Sequence, residues 1–317
     1  MRTHRKLIVA ASILLTVGIL VCGISFAAFG FNIHALNTVN YVLNDYAVQE
    51  DFQNITIRAD MEDISFLPSE DGTCKVVCYE DEKELHRVRV EGDTLTIDKE
   101  DLGKWRIGII TESPKLTLYL PNLVYGALWV DADTGSVTVP AQFTFESIHV
   151  KLDTGNIELT ASAQGEVDLH TDTGGIDLSD LSAGGIALST ATGTVRIDGV
   201  ACQGSLDAKT DTGRIDIANT RCANLHSTGS TGSLYLTNVI ASKEYHIRRA
   251  TGNVRLDGCD AENIFIETDT GDVTGTLLTD KIFLPQTDTG RIDVPKTTVG
   301  GRCEISTDTG NIQISVP

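Results

Sequence analysis

The feature that most constrains the fold of this chain is a Thr-Gly dipeptide followed by alternating apolar residues, a pattern that recurs ten times after residue 130. Successive glycines are separated by 19 or 20 residues, and alternating apolar and polar residues follow each of them, as in DTGNIEL and DTGRIDI. The ten glycines are Gly135, Gly155, Gly174, Gly193, Gly213, Gly232, Gly252, Gly271, Gly290 and Gly310. A fixed period of this length is typical of a solenoid, in which each repeat packs on its neighbours.

Each repeat contains two short segments in which apolar and polar residues alternate. One precedes the Thr-Gly pair, as at residues 147–150, and the other follows the glycine, as at residues 157–159. Because successive side chains of a strand point to opposite faces, the alternation predicts strands with one buried and one exposed face. A repeat this short cannot bury its apolar face alone, whereas stacked repeats share a core. The sequence therefore predicts an all-β fold, a parallel β-solenoid (β-helix) with two short strands per coil.

The turn between the two strands has its own chemistry. Glycine allows a positive φ, and an Asp or Ser two positions before it can cap the turn through its side chain. The residue three positions after each glycine is predicted to form an outward-facing column. Its members are Thr138, Glu158, Asp177, Arg196, Asp216, Tyr235, Arg255, Thr274, Asp293 and Gln313. Opposite charges alternate along part of this column, which is favourable between adjacent coils.

The N-terminal residues predict export and membrane attachment. Residues 7–33 contain no charged side chain, and this length is sufficient to cross a hydrocarbon core of ~30 Å. Arg2, Arg5 and Lys6 precede the apolar run, so the positive-inside rule keeps the N-terminus in the cytoplasm. We therefore expect a single-pass protein of the cell membrane with an extracytoplasmic C-terminal domain. A cleaved signal peptide is the alternative, although its apolar segment would be unusually long.

These features divide the chain into five parts. They are a cytoplasmic basic flank (1–6), a transmembrane signal-anchor helix (7–33), a juxtamembrane linker (34–47), an N-terminal β cap region (48–130) and the β-solenoid repeats (131–317). The cap region alternates without the repeat, and end coils of solenoids are usually atypical because they shield the core. At the other end, the last strand of the sequence is expected to form an uncapped edge.

The order of the motifs resembles a known family. After the apolar N-terminal run come a Gly-Asp-Thr-Leu-Thr-Ile hairpin at residues 92–97, Leu-Tyr-Leu-Pro at 118–121 and the serial Thr-Gly repeats. This arrangement, over roughly residues 45–317, resembles the bacterial adhesin-like family of β-strand-repeat surface proteins, whose biochemical function is unassigned. The resemblance implies a cell-surface β-solenoid, often membrane-tethered, with roles in adhesion or envelope stress. It implies no catalytic residues.

Asp-Thr-Gly is also the signature of aspartic proteases, in which two such loops share a proton between their carboxylates. Here the triplet occurs seven times at the solenoid period. A protease would explain two copies, whereas a turn element explains all ten repeats, including those with Ala or Ser in place of Asp. We therefore expect no catalytic residues and no enzyme activity.

The aspartates of these triplets are predicted to stack in a column. Turn capping is the favoured interpretation, and weak Ca²⁺ binding is the alternative, because stacked carboxylates repel one another unless a cation lies between them. The candidate calcium ligands are Asp133, Asp153, Asp172, Asp269, Asp288 and Asp308. No other cofactor is expected.

Two cysteines occupy equivalent positions in adjacent repeats. Cys202 and Cys222 each lie nine residues after a turn glycine, so their Cα atoms can approach disulfide range. A disulfide and a pair of buried free thiols both remain open. Zinc binding is not expected, because the sequence contains no Cys-x-x-Cys pair and no clustered histidines.

The charge of the chain limits its partners. The net charge is −19, and such an acidic surface repels nucleic acid. The function predicted first is a non-catalytic binding or structural surface module that contacts an envelope polymer or a surface protein. The alternative is an envelope-stress sensor that binds cationic peptides and acts through a membrane partner. A polysaccharide-degrading enzyme is disfavoured, because coils this small leave little room for a catalytic groove.

Overall fold

The computed structural model describes residues 2–28, 39–99 and 113–317. One helix, α1 (Arg2–Ala28), precedes the β-strands. None of the helices in these ranges combines the length and apolar character that a membrane span requires. The predicted anchor at 7–33 extends beyond α1 into residues that lie outside the described ranges. Residues 34–38 of the predicted linker (34–47) also lie outside them, and residues 41–47 belong to the first strand.

Thirty strands follow in the described ranges. The first fifteen are β1 (Tyr41–Val48), β2 (Asn54–Ala59), β3 (Asp63–Pro68), β4 (Cys74–Asp81), β5 (His86–Glu91), β6 (Thr94–Lys99), β7 (Lys115–Leu120), β8 (Val124–Thr134), β9 (Val137–Val139), β10 (Thr144–Thr154), β11 (Ile157–Leu159), β12 (Ser162–Ala163), β13 (Glu166–Thr173), β14 (Ile176–Ser179) and β15 (Ser182–Ala183). The last fifteen are β16 (Gly185–Thr192), β17 (Val195–Asp198), β18 (Ala201–Cys202), β19 (Ser205–Thr212), β20 (Ile215–Ala218), β21 (Arg221–Thr231), β22 (Leu234–Thr237), β23 (Ile240–Thr251), β24 (Val254–Cys259), β25 (Asn263–Thr270), β26 (Val273–Leu277), β27 (Lys281–Thr289), β28 (Ile292–Asp293), β29 (Gly301–Thr309) and β30 (Ile312–Ser315).

The strands form two long sheets, so the predicted all-β, parallel β-solenoid is confirmed. Sheet A has fourteen strands in the order β1-β4-β7-β3-β9-β11-β14-β17-β20-β22-β24-β26-β30-β28. Sheet B has sixteen, and its main path is β27-β29-β25-β23-β21-β19-β16-β13-β10-β8-β2-β6-β5. Along the repeats, the strand before each Thr-Gly turn lies in sheet B, and the strand after it lies in sheet A.

The core between the sheets is aliphatic, as the alternation predicts. In sheet A, Ile176 pairs in register with Val195 and Val195 with Ile215, and all three are fully buried. The turn glycines are required by close backbone contact between coils. Gly155 has a φ of 146°, and a Cβ at this position would overlap the carbonyl oxygen of Gly135. Any larger residue there would push neighbouring coils apart.

Inward-facing threonines reinforce several of the turns. The hydroxyl of Thr171 donates a hydrogen bond to the carbonyl of Gly155 in the preceding coil over 3.0 Å, and Thr190 donates to Gly174 over 3.1 Å. These bonds satisfy buried polar groups next to the apolar core. By contrast, no hydrogen bond links a repeat aspartate to its own turn within the described ranges, where those aspartates are exposed.

The order of the coils is permuted at both ends. At the N-terminal end, the β2–β3 coil lies between the β6–β7 coil and the β8–β9 coil, and the antiparallel strands β1, β4 and β5 flank them. At the C-terminal end, β29 and β30 insert between the β25–β26 coil and the β27–β28 coil. The expectation that the last strand of the sequence forms the open edge is therefore wrong. That edge consists of β27 and β28.

Candidate functional site on the outer face of sheet B

The outer face of sheet B carries a wide pocket near the C-terminal half of the solenoid. The pocket has a volume of about 770 Å³, and its walls include His226, His246, Arg248, Phe265 and Glu304. These side chains belong to four neighbouring coils, because β21, β23, β25 and β29 are adjacent in the sheet. The pocket is therefore built by stacking equivalent outward positions.

The register of sheet B aligns one outward position from each of the ten Thr-Gly repeats, and we call this set the ring column. Its members, in spatial order, are Trp129, His149, Asp168, Ala187, Asp207, His226, His246, Phe265, Glu304 and Leu284. Aromatic and imidazole rings thus occupy two stretches of the column, and small or acidic residues lie between them. The sequence contains the signal for this column, because each member lies six residues before a turn glycine.

The rings of the column stack on one another across coils. Trp129 and His149 are parallel, with centroids 3.9 Å apart, and His246 stacks on Phe265 at 4.8 Å. The guanidinium of Arg302 lies 5.9 Å from the Phe265 ring centroid, a cation–π contact. Trp129 is 45 % exposed, although a large ring is usually more buried. The column therefore presents flat apolar surfaces to solvent.

Carboxylates hold the imidazoles in place. His149 Nδ1 lies 3.0 Å from an oxygen of Asp168, and His226 Nδ1 lies 2.8 Å from an oxygen of Asp207. In both pairs the acid and the histidine belong to adjacent coils of the same column. A ring fixed in this way keeps one face free for stacking and its other nitrogen free for hydrogen bonding.

A second depression continues the wide pocket along the sheet. It has a volume of about 260 Å³ and lies where the small residues Ala187 and Ser189 leave space between Asp168 and Asp207. His226 and Thr228 contribute to the walls of both pockets. The outer face of sheet B therefore offers a shallow groove that crosses several coils.

The cap contains a buried charge network that sequence reasoning missed. His86 Nδ1 lies 2.5 Å from an oxygen of Glu80, and His86 Nε2 lies 3.6 Å from an oxygen of Glu62. Lys99 pairs with Glu62 on the other side. The network could not be read from spacing, because its residues come from three strands and a turn that only the folded cap brings together.

The surroundings of the two carboxyl groups of this network favour their ionised forms. Burial alone would raise the pKa of Glu62, but Lys99 and His86 outweigh it and lower that pKa from its ordinary value. Burial likewise opposes ionisation of Glu80, whose pKa is lowered by hydrogen bonds from Asn44, His86 and Tyr46. Lys99 therefore compensates the buried charge of Glu62, and hydrogen-bond donors surround Glu80.

One group of potential metal ligands exists within the described ranges. Cys78, Glu80 and His86 offer ligand atoms within 4.8 Å of one another. However, Glu80 already accepts hydrogen bonds from Asn44 and Tyr46 over 2.7 and 2.8 Å, and its other oxygen faces His86. Both carboxylate oxygens of Glu80 therefore already have hydrogen-bond partners, so the group fits a structural charge network better than a metal centre.

Comparison with known proteins identifies the family. The sequence profile of the family DUF4097, which is named Toastrack, matches residues 52–237 and 204–317. The chain belongs to this family. No curated protein sequence matches the DUF4097 chain.

Solved structures match this chain at low sequence identity and with TM-scores below 0.5. A candidate adhesin from Bacteroides fragilis is 15 % identical with a TM-score of 0.43, and the match covers 87 % of this chain and 97 % of that one. A candidate lipid-binding protein from Parabacteroides distasonis is 14 % identical with a TM-score of 0.47, covering 75 % and 95 %. A candidate adhesin from the same organism is 14 % identical with a TM-score of 0.41, covering 85 % and 98 %.

The aspartate column of this DUF4097 protein lies at the corner of sheet B. Because of the permuted end, Asp308 lies between Asp269 and Asp288. Burial raises the pKa of Asp133, and repulsion from Asp153 and Asp60 adds to this effect. The column aspartates do not form a three-ligand metal group in the described ranges. Calcium binding at the column stays a prediction.

Cys202 and Cys222 lie on adjacent coils of the DUF4097 solenoid. Both are buried, and the Cys202 sulfur lies 3.3 Å from the carbonyl oxygen of Ser205. Burial raises the pKa of Cys222 to about 12, so this thiol is protonated at neutral pH. A disulfide between them stays a prediction that thiol counting can test.

Proposed function

We propose that this DUF4097 protein is a non-catalytic, adhesin-like surface module whose ligand lies along the outer face of sheet B. The observation that carries the proposal is the ring column, which exposes stacked rings and paired carboxylates on one flat face. Exposed aromatic surface with a few oriented polar groups is the usual composition of a binding face. The preferred ligand is an extended envelope polymer or the surface of a neighbouring cell.

Two physical features support an extended ligand. Equivalent positions recur in every coil at ~4.8 Å, so one long ligand can make the same contact several times. The column also belongs to a continuous sheet whose strands are fixed by neighbours on both sides, which lowers the entropic cost of binding. Weak individual contacts can thereby add up to a specific attachment.

Attachment to the cell membrane is part of the proposal and rests on the sequence. The uncharged run at residues 7–33 and the preceding Arg2, Arg5 and Lys6 favour a signal anchor with a cytoplasmic N-terminus. An acidic ectodomain would then face outward. A rod fixed at one end suits a role in which a side face meets the ligand.

Mutation of the ring column tests the binding role. Full-length protein carrying His226→Ala, His246→Ala and Phe265→Ala is compared with native protein for retention on isolated cell-wall polymer and intact cells. Tyr235→Ala is the matched control, because Tyr235 is a half-buried ring in the outward column of sheet A. We expect retention to fall at least tenfold in the triple variant alone. Equal retention of native protein, the triple variant and the control would contradict ligand binding by the outer face of sheet B.

The second candidate function is a sensor of cationic peptides that acts through a membrane partner. It is favoured by the net charge of −19 and by the crowding of Asp133, Asp153 and Asp60, which disfavours the ionised state of Asp133. A bound cation would relieve that repulsion. The test is peptide binding to the full-length protein with Asp133→Asn and Asp153→Asn. Binding that is unchanged by both substitutions and insensitive to salt would exclude this role.

A further inference from the structure

Carboxylates set the tautomers of two imidazoles on the outer face of sheet B. Nδ1 of His149 lies 3.0 Å from Asp168, and Nδ1 of His226 lies 2.8 Å from Asp207, while both histidines remain partly exposed. A carboxylate accepts a hydrogen bond but does not donate one, so Nδ1 carries the proton and Nε2 of the neutral ring is an acceptor. The two rings therefore add acceptors to a face that already carries carboxylates.

Further acids extend this row of acceptors along the sheet. Glu304 belongs to the ring column, and Glu244 and Glu267 lie two residues from its members His246 and Phe265, on the same face of the sheet. A polymer that offers only acceptors, such as one with phosphate groups, would be repelled by these carboxylates. The outer face of sheet B therefore requires a ligand that donates hydrogen bonds.

The cations of this face are paired with its acids. A nitrogen of Arg302 lies 2.6 Å from an oxygen of Glu304, and Arg248 lies 3.2 Å from Glu267. These charges compensate one another locally, so a ligand needs no net charge of its own to bind beside them. A mixture of acceptors and a few donors suits hydroxyl groups, because each hydroxyl both donates and accepts.

The ring column also offers an open aromatic surface at Trp129. His149 stacks on one side of the indole at a centroid distance of 3.9 Å, and the neighbour of Trp129 on the other side of the sheet is the small Thr56. Trp129 is therefore left 45 % exposed. A pyranose ring carries C–H groups on its faces and hydroxyl groups around its rim, so it can stack on the indole and still hydrogen-bond at its edges.

Recesses alternate with the upright rings along the column. The depression of about 260 Å³ lies over Ala187 and Ser189, and the wide pocket of about 770 Å³ lies beyond it, next to His246 and Phe265. The wide pocket has the size of ordinary ligand sites, which span about 300–1,000 Å³. This relief suits a chain of rigid, bulky units better than a smooth chain.

Two other extended ligands fit the face poorly. A peptide usually adds to a sheet through its backbone at an edge, but β21, β23 and β25 have hydrogen-bonded neighbours on both sides. A lipid chain needs a continuous apolar groove, whereas Asp168 and Asp207 interrupt the ring column. The hydrogen-bonding pattern and the open indole therefore favour a carbohydrate.

We infer that the ligand of sheet B is an uncharged glycan, an extended chain of β-1,4-linked pyranose rings. Trp129 stacks on one sugar ring, and the carboxylates and imidazoles of the ring column accept hydrogen bonds from hydroxyl groups. Such a chain is straight, as is a column of equivalent positions repeated at ~4.8 Å, so several weak contacts can act together. This inference rests on the proposed binding role of sheet B and names the ligand class.

Two hexasaccharides are the probes, one of β-1,4-linked glucose and one of β-1,4-linked N-acetylglucosamine. Their binding to full-length protein is measured by isothermal titration calorimetry. We expect at least one to bind at least tenfold more tightly than the disaccharide of the same sugar, because it reaches more of the column. Trp129→Ala should weaken this binding at least tenfold, whereas Tyr235→Ala on sheet A should not change it. Binding of neither hexasaccharide, or equal binding by Trp129→Ala, would overturn the inference.

A second variant tests the acceptors without changing the shape of the face. Asp207→Asn can donate to Nδ1 of His226, which moves the imidazole proton to Nε2 and removes an acceptor. We expect hexasaccharide binding to weaken at least threefold while the thermal unfolding midpoint stays the same. An unchanged affinity would contradict the role of the acceptors.

Competition separates this inference from the proposed function. Native protein held on isolated cell-wall polymer is challenged with the uncharged hexasaccharides, with a cationic glucosamine hexasaccharide and with poly(glycerol phosphate). We expect release by an uncharged hexasaccharide. If the triple variant of the ring column loses retention but only a charged competitor, or none, releases native protein, the binding face stands and the glycan inference fails. If the triple variant is retained like native protein, the proposed function itself fails.

Discussion

Placing inward threonines at positions 229 and 249, which align with Thr210 and Thr268 in sheet B, should stabilise the solenoid. The double substitution Gly229→Thr with Arg249→Thr replaces the unpaired guanidinium by two hydroxyl groups that can donate to turn carbonyls, as Thr171 and Thr190 do. Two donors of Arg249 now lack partners, each at about 1–3 kcal/mol, and each new hydrogen bond contributes about 1 kcal/mol. A Cβ at position 229 would also lie 2.9 Å from the carbonyl oxygen of Thr210, which requires a small adjustment. Allowing for this strain, we expect a net gain of about 2–4 kcal/mol.

The single substitutions should behave differently from the pair. Gly229→Thr alone forces a side chain into the guanidinium, and overpacking of this kind costs about 1–3 kcal/mol or more. Arg249→Thr alone removes the unpaired charge but leaves a cavity opposite Gly229, so these effects largely cancel. We therefore expect a coupling free energy of about 2–3 kcal/mol between the two positions.

The assay is urea unfolding followed by circular dichroism. The midpoint and the slope are compared for native protein, both single variants and the double variant, with the exposed Arg248→Thr as control. An unchanged slope is needed before midpoints are read as free energies, because repeat arrays can lose cooperativity. A double variant less stable than native protein, or strictly additive single effects, would refute the reasoning.

Three further predictions concern the cap, the turns and the cysteines. Because folding lowers the pKa values of Glu62 and Glu80, these groups stabilise the protein at neutral pH, and the stabilisation is lost as the pH falls below about 4.5. Urea unfolding midpoints measured across this pH range will show the loss. Lys99→Met should lower the stability by roughly 3–5 kcal/mol at pH 7 and make it less dependent on pH. Gly155→Ala should destabilise by more than about 2 kcal/mol because its Cβ meets the Gly135 carbonyl, whereas Gly72→Ala, with open space around it, should cost only about 1–2 kcal/mol of backbone strain. Cys202 and Cys222 should resist a thiol reagent at pH 8 in the folded protein and react after denaturation; two fewer thiols than the sequence contains would instead support the disulfide.

The repeat and the two-sheet architecture could be predicted because they depend on local rules. Alternation assigns one face of each strand to the core, and the contact between Gly155 and Gly135 explains why glycine recurs at a fixed period. The outward column of sheet A also follows from spacing. Asp177, Arg196 and Asp216 pair in register as expected, and Arg196 lies 3.4 Å from Asp177.

The proposed binding face was missed although its residues recur at the same spacing. Positions six residues before the turn glycines combine into the ring column, but histidines such as His149 and His226 look scattered when they are read along the chain. The buried charge of Arg249 was harder to find. Arg249 alternates correctly for an inward position, and only the side-chain packing against Gly229 reveals that a charge is buried there.

The permuted C-terminal end could not be derived from the repeat, because the β27 and β29 segments carry the same Thr-Asp-Thr-Gly ending. The two coils differ in how well they suit a position between two neighbouring coils. Cys303 and Ile305 of β29 are almost fully buried between neighbours, whereas β27 contains Pro285 and β28 has only two residues. Proline lacks an N–H for the ladder, and short strands offer few bonds, so the β27–β28 coil belongs at an edge. This placement leaves a poor template for strand addition at the end of the solenoid, which favours a rod whose side face meets ligands.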